Sequence, residues 1–211
     1  MFKVDQFAED NLEVQHALIE RHPLGLLIGN NADGRLNANP IPFSLVRDAG
    51  PFGVLRAHIA RTNPQWSELE AASECLVVFQ GEEAYVSPNW YPTKKVHGKV
   101  VPTWNYVTVH AWGVPTIIED SSWILDQLNG LTDHQESEQA RPWAVDDAPP
   151  KFTAAMVNAI VGIEVRITEI QGKWKVSQNR RSEDVQGVYV GLTASGQAEM
   201  AKQVAKHLDA Q

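Results

Sequence analysis

Short runs in which apolar and polar residues alternate recur along the chain, and this period of two predicts β-strands. The clearest run is 104–112, where one face takes Asn105, Val107, Val109 and Ala111 and the opposite face takes the other side chains. Similar or shorter apolar runs predict further strands at 24–30, 36–43, 53–59, 76–80, 84–87, 115–119, 161–170 and 173–177. Many short strands of this kind are typical of an antiparallel sheet or barrel.

Turn signals separate these strands. Asp33-Gly34 predicts a tight hairpin turn after the first strand. Pro40 and Pro42 have no N–H group to donate, so the second strand is expected at an edge of the sheet or broken by a bulge. Gly81 and Gln171-Gly172 are expected to join strands in the same way, and the segment 115–119 is expected to pair with 104–112.

Helical signals lie between these strands or outside them. They predict helices from Asp10 to the His22-Pro23 stop, at 64–72, 120–130 and 152–160, and in two pieces that close the chain, with 132–150 as a surface loop. The chain has neither a G-x-G-x-x-G fingerprint nor a P-loop. The expected fold is therefore mainly β with peripheral helices (α+β), built as an antiparallel barrel rather than a parallel sheet.

Length and charge narrow the class of protein. A chain of 211 residues suits one domain, 1–211, with an N-terminal helix and a C-terminal helical tail. The one cysteine, Cys75, excludes an intramolecular disulfide and is expected to be a buried, unreactive thiol. No signal peptide or membrane span is expected, which favours a cytoplasmic protein. A net charge of −8 argues against a dedicated DNA-binding domain.

The turn 58–65 is the first candidate binding segment. Phosphate groups bind where amides at a helix start lie beside cationic or hydroxyl donors. The candidate donors are His58, Arg61, Thr62, Asn63 and Gln65. The alternative is an ordinary strand-to-helix turn in which Asn63 is only a cap.

Two further candidates lie in strands that carry aromatic and polar side chains together. Trp104, Asn105 and Tyr106 begin the clearest strand, and an amide such as Asn105 both donates and accepts, as the pyrimidine edge of a flavin requires. The alternative for these residues is an aromatic core stripe. The second candidate is the polar group that ends the last predicted strand, for which the alternative is a plain strand exit: Ser177, Gln178, Asn179 and Arg180.

Taken in order, several segments resemble the PaiB-like family of FMN-binding negative transcriptional regulators. The matching segments are 38–43, 58–66, 85–88, 90–92, 100–106, 160–164 and 173–179. The resemblance implies a split β-barrel of the pyridoxamine-phosphate-oxidase type, a homodimer and FMN as cofactor. It implies that the 58–65 turn holds the phosphate and that residues 104–106 or 177–180 contact the ring.

Other functions stay open at this point. A haem-binding or haem-degrading protein on the same barrel would use His58 or His110 as a ligand. A cofactor-free DNA-binding repressor would need a basic face, and the acidic charge makes direct DNA contact doubtful. The spacing of acidic residues and histidines matches no metal site, and no catalytic residue is assigned. Whether the protein is an enzyme with a weak oxidoreductase role or a regulator is therefore left open.

Overall fold

The computed structural model describes residues 1–2, 4–31 and 33–208, so the last three residues of the predicted domain 1–211 lie outside the described part. The strands are β1 (Ala8–Glu9), β2 (Leu24–Asn30), β3 (Leu36–Pro42), β4 (Ser44–Val46), β5 (Val54–Ala60), β6 (Cys75–Val86), β7 (Thr103–Ile118) and β8 (Ile160–Lys175). The helices are α1 (Leu12–Arg21), α2 (Gln65–Glu70), α3 (Lys94–His97), α4 (Ser121–Glu136), α5 (Pro150–Asn158), α6 (Ser182–Ala194) and α7 (Ala198–Ala205).

The strands form one antiparallel eight-stranded sheet. Seven of them follow the order β3-β2-β6-β7-β8-β5-β4, and β1 pairs separately with β8. The predicted hairpin at Asp33-Gly34 is confirmed, since β2 and β3 pair from Leu24↔Pro42 to Asn30↔Leu36 and Gly34 has a φ of +76°. The prediction that Pro40 and Pro42 mark an edge strand is also confirmed, because β3 lies at one end of the strand order.

Three predicted strand breaks are wrong. The segments expected to be separate strands around Gly81 form the single strand β6, and 104–119 belongs almost entirely to β7 rather than to a pair. No turn occurs at Gln171-Gly172, because Gly172 continues β8 and pairs with Glu9 of β1. A Cβ on Gly172 would lie 2.6 Å from the Glu9 carbonyl oxygen, so this glycine permits a close approach of two strands instead of a turn.

The chain divides into two compact units, and the first contains residues 1–15, 80–109 and the described residues from 171 onwards. Its helices α6 and α7 bury the apolar side chains of Val185, Val188, Leu192, Met200 and Val204. The hydroxyl of Thr93 donates to the buried carboxylate of Asp184 at 2.8 Å, and this bond joins the α3 region to the first turn of α6.

The second unit contains residues 16–79 and 110–170. Its core includes Leu27, Leu55, Val77 and Ile163, all fully buried. Asp120 caps helix α4, since its Oδ1 accepts from the Trp123 amide at 2.8 Å. The helix was predicted at 120–130, but it runs to Glu136. No helix among the described residues is long and apolar enough to span a membrane.

Cys75 belongs to the core of this second unit, as predicted. Burial raises the pKa of its thiol to about 12, and the neighbouring charge of Glu74 contributes to this shift. A thiol with this pKa is almost wholly protonated at neutral pH and is therefore a poor nucleophile.

Candidate functional site

Two of the predicted binding segments meet inside the first unit through a pair of buried polar residues. The Asn105 face of β7 is the core face, so the alternative of a core stripe formed by Trp104 and Tyr106 does not hold. Asn105 is 1% exposed and Ser177 is 3% exposed. The Asn105 amide Nδ2 donates to Ser177 Oγ at 2.9 Å, and Ser177 Oγ donates to Asn105 Oδ1 at 3.2 Å. These reciprocal bonds connect the start of β7 to the segment that follows β8.

The segment 177–180 forms a tight turn immediately after β8. Ser177 has a φ of +71°, a left-handed conformation that is uncommon for a residue with a side chain. The Arg180 amide donates to the Ser177 carbonyl at 2.9 Å and closes the turn. Gln178 uses its side chain locally, because its Oε1 accepts from the Val176 amide at 2.8 Å. Asn179 is exposed, so the side chains that point outward from this turn are those of Asn179 and, in part, Arg180.

Three cations gather around the aromatic rings of this unit. The Lys173 and Lys175 ammonium groups lie 5.4 and 6.0 Å from the centre of the Tyr106 ring, and the Arg180 guanidinium lies 4.9 Å from that of Tyr91. Lys175 Nζ also donates to the Trp104 carbonyl oxygen at 2.5 Å. Within the described part of the chain, none of the three cations forms an ion pair with a carboxylate.

Burial and like charge both act on Lys175. Burial lowers its pKa below the ordinary value for lysine, and the neighbouring charges of Lys173 and Arg180 lower it further. An anion placed beside these groups would relieve their mutual repulsion.

Exposed aromatic surface lies next to these charges. Trp104 is 52% exposed and Tyr85 is 48% exposed, and their rings pack edge to face with centres 6.1 Å apart. We refer to Tyr85, Trp104, Tyr106, Lys173, Lys175 and Arg180 as the basic aromatic cluster. Flat apolar faces beside unneutralised cations fit a planar molecule that carries negative charge or carbonyl oxygens.

The other predicted segment, 58–65, lies in the second unit. Arg61 donates from Nη1 to Glu119 Oε2 at 2.5 Å, from Nε to the Asn158 carbonyl at 3.2 Å and from Nη2 to the Ile160 carbonyl at 3.3 Å. Thr62 is exposed beside it. The Arg61 cation is thus close to a carboxylate, which a phosphate would have to replace.

Two members of this turn also hold it together. Asn63 Oδ1 accepts from the Gln65 amide at 3.0 Å, as expected of a cap. The fully buried Gln65 donates from Nε2 to the Leu27 carbonyl at 3.1 Å and accepts from Asn39 at 2.9 Å. The bonds of Asn63 and Gln65 are therefore those of an ordinary strand-to-helix turn, the alternative to a phosphate-binding turn.

Sequence reasoning missed two residues that hold the candidate segments in place. Glu119 and Gln127 are the partners of Arg61 and His58, and the latter pair places His58 Nδ1 2.8 Å from Gln127 Oε1. Lys173 and Lys175 belong to the segment 173–179 that carries the family resemblance, and they share a face because they lie at positions i and i+2 of a strand. Glu119 and Gln127 are separated from their partners by 58 or more residues, and no local sequence pattern indicates either contact.

Comparison with known proteins identifies relatives along most of the chain. Residues 1–169 match the family described as "Putative FMN-binding domain". An uncharacterized protein of Aspergillus fumigatus is 34% identical, with 90% of this chain and 89% of that protein covered. The protease synthase and sporulation protein PAI 2 of Bacillus subtilis is 29% identical, with 89% of this chain and 87% of that protein covered.

Solved structures show the same fold at low sequence identity. The flavocytochrome Anf3 from Azotobacter vinelandii superimposes with a TM-score of 0.60 at 17% identity, covering 82% of this chain and 72% of that one. The FAD and heme binding protein from Mycobacterium smegmatis gives a TM-score of 0.59 at 19% identity, covering 80% and 73%. The predicted fold class, a split barrel of the FMN-binding type with peripheral helices, is confirmed. By its family match and its PaiB-like relative, this chain belongs to the FMN-binding domain family, with flavin as the family's cofactor.

Proposed function

We propose that this chain binds FMN through the basic aromatic cluster and works as a homodimeric flavoprotein with a regulatory or weak oxidoreductase role. The observation that carries the proposal is the set of three cations without carboxylate partners, which lie against the rings of Tyr106 and Tyr91 next to the exposed ring of Trp104. A flavin combines a flat apolar ring with carbonyl oxygens, so one cluster supplies both kinds of contact. When bound, the flavin supplies the redox chemistry, and the protein orients it.

The residues of the cluster have distinct proposed tasks. The rings of Trp104 and Tyr106 cover apolar surface of the ligand, and Lys175 and Arg180 donate to its oxygens. Asn105 and Ser177 are too deeply buried to be the outer contact surface and keep the two strand ends in register. The exposed amide of Asn179 is the remaining donor at the rim.

The turn 58–65 is proposed as the phosphate-binding segment on the family resemblance. Thr62 and Arg61 supply the donors, and His58, Asn63 and Gln65 shape the segment through bonds to other side chains and to the main chain. The two groups of residues are proposed independently, and each is tested by its own variant.

The regulatory role is proposed to be indirect, without direct contact to DNA. Binding to duplex DNA depends largely on lysine and arginine contacts to phosphate, and this chain has a net charge of −8. A flavin-dependent signal or a protein partner would then convey the regulation. A cytoplasmic location suits a chain whose one cysteine is a buried free thiol.

Titration with FMN tests the cluster directly. We expect saturable quenching of flavin fluorescence at about one FMN per chain, and a roughly tenfold weaker Kd for Lys175→Met, since a lost charge-assisted hydrogen bond costs about 1.5–3 kcal/mol. Lys202→Met is the matched control, because it removes an equal charge from an exposed site on α7. Equal affinity in the two variants, or a haem Soret band without any FMN binding, would contradict the proposal.

A second titration tests the turn. Arg61→Ala is expected to weaken FMN binding about tenfold through loss of a phosphate contact. It should change the free energy of unfolding by less than about 1 kcal/mol, because the Arg61 and Glu119 side chains are 38% and 60% exposed and their pair is screened. Glu119→Gln distinguishes a phosphate contact from a structural role of Arg61. It removes the same ion pair but keeps the guanidinium, now without a competing carboxylate, so FMN affinity should stay the same or rise. Parallel losses in both variants would make Arg61 purely structural.

A further inference from the structure

We propose that the second unit contains a binding site for a small carboxylate with a compact apolar body, apart from the residues assigned above to FMN. The site is a cavity of about 320 Å³. Helix α4 forms one wall, Phe43 and β4 form another, and the end of α1 and Arg56 of β5 complete it. Its volume lies at the lower end of the range for small-molecule sites.

The cavity has a largely apolar lining. Side chains of this kind come from β4, from α4 and from the connections that precede β2 and β4: Pro23, Phe43, Leu45, Val46 and Leu131. Phe43 is held firmly, since it is 2% exposed and packs edge to face on Phe79 with ring centres 5.9 Å apart. A ligand of small size with an aromatic or branched body therefore finds a preformed surface.

One buried amide in the lining is only half satisfied. Gln127 is 5% exposed, and its Oε1 lies 2.8 Å from His58 Nδ1, which donates when that nitrogen carries the proton. Its Nε2 is buried and has no hydrogen-bond partner among residues 1–2, 4–31 and 33–208. If the amide is turned over, the other terminal atom lacks a partner instead. An unpaired buried polar atom is costly, and a ligand oxygen at Nε2 would recover that cost.

A cation in the lining decides the charge of the ligand. Arg56 donates from Nε to Glu164 at 2.9 Å and stacks over the Trp123 ring at 5.5 Å. No described residue accepts from its two terminal nitrogens, which remain able to bind a carboxylate.

The acids of the lining do not favour an amine. Glu20 is paired with Arg47 at 2.6 Å, and this hydrogen bond holds the pKa of Glu20 below its ordinary value. Asp126 lies exposed at the rim, as does His134. The donors in the lining therefore select a carboxylate over an ammonium group.

Calorimetric titration with benzoate, and with benzylamine as its cationic counterpart, tests the site. Benzoate is expected to bind saturably below about 1 mM, and benzylamine more than tenfold more weakly. Gln127→Glu keeps the oxygen that accepts from His58 but replaces the NH₂ donor with a charged oxygen, so benzoate affinity should fall at least tenfold. Gln135→Glu adds the same charge at an exposed position of α4 and should leave the affinity unchanged.

Each alternative outcome overturns the proposal. These outcomes are failure of benzoate to bind the wild-type protein, benzoate binding to Gln127→Glu at wild-type affinity, and preference for benzylamine. Thermal unfolding of each variant shows whether it is folded, and Arg56→Met, also expected to lose at least tenfold, provides a second variant if Gln127→Glu unfolds. Titrations with and without saturating FMN separate this site from the proposed flavin site, because displacement of FMN by benzoate would place both ligands in one site.

Discussion

Replacing Gly113 with valine is expected to lower the free energy of unfolding by more than about 4 kcal/mol. Losses of this size are exceptional and arise where the surrounding atoms cannot make room for the new side chain. Gly113 lies in β7 against the neighbouring strand β8. A Cβ at this position would lie 2.4 Å from the Arg166 carbonyl oxygen and 2.6 Å from Val165 Cγ1. Because the nearest atom belongs to the main chain of a paired strand, it cannot move aside as the end of a side chain could. Urea unfolding, followed by circular dichroism, measures the loss.

Gly130 provides the matched control for this variant. It lies within α4, where a Cβ would meet no atom within 4 Å. Gly130→Ala is therefore expected to stabilise the protein by about 0.5–1 kcal/mol, because alanine has the higher helix propensity. If Gly113→Val unfolds at the wild-type urea concentration, β7 and β8 do not approach each other as closely as described.

The glycines also explain where sequence reasoning about the fold succeeded and where it did not. Gly34 follows Asp33 between two alternating runs, a local signal, and the hairpin there was predicted. Gly172 follows Gln171 in a similar way, but it lies in a strand because Glu9 approaches it from the other end of the chain. A glycine that permits a turn and one that permits a close approach look alike locally, so only distant residues distinguish them.

In the candidate site, too, local sequence patterns predicted some features, and contacts between distant residues determined the others. The alternation in 104–112 placed Asn105 on the face that proved to be buried, since a period of two is a property of the strand itself. The partner of Asn105 could not be predicted, because Ser177 is 72 residues away and its left-handed conformation has no sequence signature. Arg61 was singled out for its position before a helix, whereas Glu119 follows a different strand.

Asn105→Leu is expected to lower the free energy of unfolding by about 2–4 kcal/mol. The variant leaves the Ser177 hydroxyl buried without its partner, and an unpaired group of this kind costs about 1–3 kcal/mol in addition to the lost bonds. FMN affinity should fall at the same time, because the turn that carries Arg180 is held to β7 through Ser177. Urea unfolding and FMN titration of the same preparation measure both effects.

A double-mutant cycle distinguishes this coupling from two independent losses. Ser177→Ala removes the hydroxyl and leaves the buried Asn105 amide without its hydrogen-bond partner, so this variant should also be destabilised. The double variant Asn105→Leu/Ser177→Ala buries no unpaired side-chain group of the pair, and its loss should be smaller than the sum of the two single losses by about 1 kcal/mol or more. Additive losses would mean that the two side chains act separately. The support that we assign to this pair beneath the basic aromatic cluster would then have to come from other residues.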